Sequence, residues 1–312
     1  MNRSICSMVA GLATVLIVAV MLAPAARAQL SLSALPRAAV QAKPIGAQAP
    51  NPVRQPFEPD RNQLLIGPGP IFAATTTNLF AQVAFGGGYT TGFTFMNTGA
   101  DAATGNLILT GNNGAPLAAS FSSPGVASAV GSSFAISVPS GGSQLVIADA
   151  VNPGDATSTG WARVESTGGS LGGVATFQLT VNNSLQTIVG VLSGAATAVA
   201  TFPADDDHSL FRDTGYAVAN PGNTPINIKV VLVHPDGTIH QTIFPPALNP
   251  LPPGGHVATF LWQDLNDSFL LFRGTVVLVE QASIPFSVVA LVLNNGLFTA
   301  IPVLPTKAPG IQ

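Results

Sequence analysis

Thr91-Gly92-Phe93-Thr94-Phe95-Met96-Asn97-Thr98-Gly99 returns 123 positions later as Thr214-Gly215-Tyr216-Ala217-Val218-Ala219-Asn220-Pro221-Gly222. The same shift carries Leu107 and Leu109 onto Val230 and Leu232, and Gly114 onto Gly237, without a gap. Farther on, Pro139-Ser140-Gly141-Gly142 matches Pro252-Pro253-Gly254-Gly255. Val181-Asn182-Asn183-Ser184-Leu185 matches Leu293-Asn294-Asn295-Gly296-Leu297, now at an offset of 112, with Thr187 on Thr299 and Val191 on Val303. A fixed internal period means that one structural unit is built twice. The shrinking offset places about ten extra residues in the first copy, over the Ala/Ser/Gly-rich stretch 118–135, as a longer surface loop.

Within each copy the pattern is that of strands. Phe177, Leu179 and Val181 alternate with Thr176, Gln178 and Thr180, the period of a strand with one apolar face. Val289, Leu291 and Leu293 keep that phase in the second copy, although the residues between them are apolar too. Val230–Val233, Pro235-Asp236-Gly237 and Thr238–Ile243 spell strand, turn, strand, and Asn112-Asn113-Gly114 marks the matching turn in the first copy. Only Leu261–Leu271 could form a short helix. Copies of about 110 residues, punctuated by Gly, Asn, Pro and Ser, have the size and rhythm of sandwich domains. The fold class expected is all-β: two tandem Ig-like antiparallel β-sandwich domains, residues 79–197 and 198–305, with a short tail at 306–312.

Composition agrees. Of 312 residues 47% are hydrophobic and only 8% charged, against about 25% charged in an ordinary soluble domain. High apolar content excludes a disordered tail. A net charge of −3 without a Lys/Arg cluster excludes a nucleic-acid binder. One cysteine excludes a disulfide scaffold or a Cys-ligated zinc site. The outer strand faces use Thr, Ser, Asn and Gln, so edge strands have few charged gatekeepers and side-by-side assembly is a physical risk.

Ahead of the repeats, residues 1–28 have the form of a Sec-type signal peptide: Arg3, an apolar run Met8–Leu22, and Ala26-Arg27-Ala28 as a small-x-small site with cleavage expected after Ala28. The run is shorter than the roughly 20 residues a spanning helix needs. Cys6 would leave with it, and the remaining nine basic and fourteen acidic residues give a net −5. Residues 29–78 form a Pro/Ala/Gln-rich linker in which Pro36, Pro44, Pro50, Pro52, Pro56, Pro59, Pro68 and Pro70 recur without hydrophobic periodicity. The charge-free stretch Val174–Phe202 is regularly interrupted by Thr, Asn and Gln and is expected to be buried strand. No transmembrane segment is expected after cleavage, and two Trp and two Tyr are too few for the aromatic girdles of a membrane barrel. The destination expected is secreted or periplasmic.

Gly86-Gly87-Gly88-Tyr89-Thr90-Thr91, Asn97-Thr98-Gly99, Gly114 and Pro139-Ser140-Gly141-Gly142, with their second-copy counterparts and the closing Leu297-Phe298-Thr299-Ala300-Ile301-Pro302-Val303, resemble a tandem Ig-like β-sandwich repeat of secreted bacterial proteins over roughly residues 79–304. These are turn and strand motifs. The resemblance implies an extracytoplasmic, non-catalytic module and carries no site residues with it.

Candidates for chemistry are few. There is no zinc-protease H-E-x-x-H and no P-loop. Gly86–Gly88 precedes a strand and cannot cradle phosphate at a helix start. His208, His234, His240 and His256 are expected at the surface or on edges. Asp205-Asp206-Asp207, with Asp213, is the candidate metal site: adjacent carboxylates repel unless solvated or neutralised, and calcium takes oxygen ligands. Glu165 and Glu280, at offset 115, fall in separate copies and do not make a glycosidase pair. Trp161 and Trp262 are candidate sugar-stacking platforms. The function expected is non-catalytic: a structural or adhesive protein contacting an extracellular or envelope protein, with carbohydrate binding as the alternative and a hydrolase third. No cofactor is expected beyond the candidate calcium.

Overall fold

The strands Thr76–Phe85 (β1), Tyr89–Asn97 (β2), Ala103–Gly111 (β3), Ala119–Ser123 (β4), Val126–Gly131 (β5), Ser133–Val138 (β6), Ser143–Asp149 (β7), Ser158–Thr167 (β8), Leu171–Val181 (β9) and Ser184–Leu192 (β10) build the first half. The second half is built by Val199–Asp207 (β11), Arg212–Ala219 (β12), Ile228–Val233 (β13), Ile239–Ile243 (β14), His256–Phe260 (β15), Leu271–Glu280 (β16), Ser287–Asn294 (β17), Leu297–Ile301 (β18) and Leu304–Pro305 (β19). A single α-helical turn, Leu261–Leu265 (α1), follows β15. This computed structural model describes residues 76–306. The expected signal peptide with its cleavage site, nearly all of the linker, and residues 307–312 of the tail lie outside the described residues. The chain is all-β, and every strand pairing is antiparallel.

In the first half a four-stranded sheet, β1-β8-β3-β6, faces a six-stranded one, β10-β9-β2-β7-β4-β5. In the second half the order β11-β16-β13-β14 repeats the first sheet, and β18-β17-β12-β15 repeats the second. These two layers are joined through one residue pair, Asp207 with Arg212, and enclose Phe202, Tyr216, Ile228, Leu232 and Phe286. Topology therefore repeats as the sequence does. The difference is the hairpin β4–β5. The extra residues of the first copy form no loop: they add two strands to the edge of β7.

The motifs that define the repeat are structural. Asn97, 1% exposed, donates through Nδ2 to the carbonyls of Asp101 and Val138 and accepts at Oδ1 from the N–H of Gly99 and Ser170. Asn220, fully buried, donates to Thr224 and Pro252 and accepts from Gly222. Each asparagine's backbone also pairs with the adjacent turn, Gly141–Gly142 or Gly254–Gly255. A buried amide that meets all its partners ties three loops into one knot.

One register differs from the sequence match. Phe93 lies opposite Ala175 and Tyr216 opposite Ala290, an odd offset of 115 in place of 112. The left-handed turn residues are Asn182-Asn183 and Asn295-Gly296, one position later than the match, where the strand pairs are three later. A slip by an odd number exchanges faces. Val288 and Ala290 thus pack on the core of their own half, while Val289 and Leu291 face the first half. The strand β17 is apolar on both faces because both are covered, so its sequence carries no phase.

Candidate functional site

The acidic stretch ends β11, and strand alternation splits it. Asp205 lies half-exposed and accepts from Arg273 Nε at 2.8 Å, with Arg212 Nε at 3.4 Å. Asp207 accepts from Ser209 Oγ at 2.6 Å. Asp206 points the other way and is fully buried. Its Oδ1 accepts from the Thr214 N–H at 3.1 Å, and its Oδ2 has no partner. Burial pushes its carboxyl up to about 7. Asp213, 4% exposed, holds His208 Nδ1 at 2.7 Å. The four carboxylates expected to share calcium thus serve separate partners, and among the described residues no group of three or more His, Cys, Asp or Glu converges.

Trp161 is 1% exposed, and its indole N–H donates to the Gly254 carbonyl at 2.8 Å, binding one half to the other. No face of this ring is left for a sugar. Trp262, on α1, is partly buried against the second core and stacks on His208 at 4.6 Å between centroids. Glu280 is buried and accepts three backbone N–H groups, from Asn227, Ala282 and Ile284. Glu165 is paired with Arg163 at the surface. His234 is half-buried and His240 exposed, and they share one hydrogen bond across their turn at 3.1 Å. His256, expected at the surface, is buried: its Nδ1 donates to Asn112 Oδ1 at 2.8 Å, and burial holds it down to about 4. Gly168-Gly169-Ser170-Leu171-Gly172 has the spacing of a hydrolase nucleophile elbow. That elbow joins a strand to a helix. Here the segment joins β8 to β9, and Ser170 spends its N–H on Asn97.

What the molecule offers to its surroundings is a sheet face and its edge. Across the outer face of the six-stranded sheet run the rows Ile188–Gln178–Thr90, Gly190–Thr176–Gly92–Ile147 and Leu192–Val174–Thr94–Leu145, none with a charge. Ile188 and Leu192 are 50% and 80% exposed. At the end of this sheet lies β5, Val126-Ala127-Ser128-Ala129-Val130-Gly131. Residues 126–130 are all exposed on both faces, and β4 is the only strand beside them among the described residues. Whereas β4 sends Ala119 and Phe121 into the core, β5 sends nothing. A second apolar exposure lies at the far end of β11 and β16, where Leu210, Phe211, Phe269 and Leu271 stand in solvent.

The edge was foreseeable in kind, from the shortage of charged gatekeepers, but not in place, because residues 118–135 read as loop. Compared with family models, with curated proteins and with solved structures, the chain matches none.

Proposed function

We propose that this chain is an exported, non-catalytic pair of Ig-like β-sandwich units that makes protein contacts at the cell envelope or outside, and that its first partner is a second copy of itself, added edge to edge along β5. The observation that carries the proposal is the strand's own sequence. Val126-Ala127-Ser128-Ala129-Val130 reads identically in both directions. Antiparallel pairing about Ser128 sets Val126 against Val130 of the second copy, Ala127 against Ala129, and Ser128 against itself. A two-fold interface requires this self-complementarity. An unpaired, charge-free edge supplies the free N–H and C=O groups.

Support also comes from the comparison of the two halves. The second half closes the same two layers without this hairpin, so core formation does not explain β5. Five cross-strand pairs at about 0.2–1 kcal/mol each sum to at most about 5 kcal/mol, a weak, reversible association no tighter than roughly 0.2 mM.

Sedimentation equilibrium of the full chain should show a concentration-dependent dimer. Ser128→Lys places two ammonium groups face to face and should leave a monomer. Ser128→Cys should form a disulfide-linked dimer on oxidation, since directly opposed residues have the Cα separation a disulfide accepts. A chain that stays monomeric into the millimolar range, or a dimer indifferent to Ser128→Lys, would falsify the proposal. Retention on polysaccharide by a monomeric chain would favour the carbohydrate reading instead.

A further inference from the structure

Where the two halves meet, the packing leaves an open cleft of about 110 Å³. That is below a drug-sized pocket and near the roughly 150 Å³ of an apolar cavity that takes one benzene ring. Its walls come from both halves. Phe177 belongs to the first, and Phe260, Leu291 and Phe298 to the second. The cleft exists because the residues that would fill it are small: Ala84 on β1, Gly215 and Ala217 on β12, Ala258 on β15. At Gly215 a Cβ would stand 2.9 Å from Phe260 Cδ1, so the glycine lets that ring lie over β12 and form a wall.

Interiors are otherwise close-packed, and an apolar void costs about 24 cal/mol per Å³. A leucine at one of the alanines would recover part of that cost. A cleft kept open by four small residues, on three strands from two halves, is a shaped space.

The lining also says what it takes. No lysine, arginine, histidine, aspartate or glutamate lines the cleft. Its two titratable side chains, Tyr89 and Tyr216, have phenols that burial pushes up, so both stay neutral. A charged ligand would be desolvated without a counter-charge. The polar atoms are uncharged: the hydroxyls of Thr157, Thr159 and Thr259, and the amide of Gln82. Gln82 Oε1 lacks a hydrogen-bond partner but is buried out of reach of the cleft. We infer that the cleft between the halves binds a neutral, mainly apolar small molecule, with a ring against Phe177, Phe260 and Phe298.

Neutral N-phenyl-1-naphthylamine, titrated into the full chain, tests this. Saturable one-to-one binding with a blue-shifted emission is expected. Ala258→Leu and Ala84→Leu should each weaken it at least tenfold while holding or raising the melting temperature. In the unsubstituted chain the probe should give nuclear Overhauser contacts to the methyls of Ala217, Ala258 and Leu291, a readout that does not depend on either variant folding. Absence of saturable binding overturns the inference. So does binding that both leucines leave unchanged, and so do contacts to Ile188 and Leu192, which would put the probe on the outer sheet face.

Discussion

Phe211 sits at φ +53° with 68% of its surface exposed, in the left-handed region that glycine favours. Its ring loses little packing if removed, so Phe211→Gly should raise stability by about 1 kcal/mol, read as a higher denaturant midpoint with an unchanged slope. Two buried groups, Asp206 and His256, and the half-buried Asp264 shape the response to pH. Asp206 and Asp264 titrate near 7 and 6 in the fold, both raised by burial, against about 3.9 in the unfolded chain. The folded state binds the extra protons between those limits, so stability falls as pH rises from about 4 to 7 and then levels off. His256 runs the other way. Held near 4 by burial, it stays neutral while the unfolded chain's histidine charges below about 6.5, so its contribution is lost as pH falls from there towards 4. The two trends separate by substitution. Asp206→Asn should raise stability at pH 8 by about 1–3 kcal/mol and flatten the descent between pH 4 and 7. A melting profile parallel to the parent's across that range would mean that Asp206 does not titrate there.

Strands differ in how much of themselves they wrote into the sequence. Where one face is covered, as in β9, alternation is clean and the apolar phase of Phe177 and Leu179 matches their burial. The doubly covered β17 has no alternation, and only the partner strand fixes its register. The asparagines were visible as repeat markers, Asn97 and Asn220, but their role was not, because it lies in contacts with residues up to 73 positions away. The candidate residues fared similarly. Asp205–Asp207 stood out as an acidic run, yet alternation sends Asp206 inward, and Trp161 was conspicuous as a rare aromatic although its partner, Gly254, lies in the other copy. The hairpin β4–β5 was legible as an insertion and illegible as strand, since Ala, Ser and Gly have low strand preference and β5 has no buried face to pattern it. From that last property follows an outcome that separates assembly from folding. Val130→Pro removes a backbone donor from a strand with no buried side chain. It should abolish the dimer while moving the monomer's stability by no more than about 0.5 kcal/mol. A loss of several kcal/mol would show β5 to be part of the fold's support instead of its exposed edge.

At the scale of the molecule the halves are not beads on a string. The first core, around Phe80, Phe93 and Phe95, also takes in Ala217 and Val289 from the second half, with Leu291 and Phe298 packed against it. The seam is stitched by polar contacts as well: Trp161 to Gly254, the His256 N–H and ring to Asn112, Phe298 N–H to Thr187 Oγ1, and a bridge between Asn113 and Gly255. The turns concerned, Asn112–Gly114 of the first copy and Pro252–Gly255 of the second, are two different repeat motifs that meet across the seam. At Gly114 a Cβ would stand 2.5 Å from the Pro253 carbonyl oxygen, so the glycine sets how closely the halves approach. Two consequences follow for unfolding. Halves that share a core cannot open independently without exposing it, so the full chain should melt in one transition, with calorimetric and van't Hoff enthalpies equal. A chain ending after Thr197 would strip the first core of Ala217, Val289, Leu291 and Phe298, and should show dye-binding apolar surface and no cooperative melt. Gly114→Ala, which forces the seam apart at one point, should lower the single transition as a whole. Two resolved transitions in the parent chain, or a cooperative melt of the isolated first half, would make the shared core a contact between independent domains.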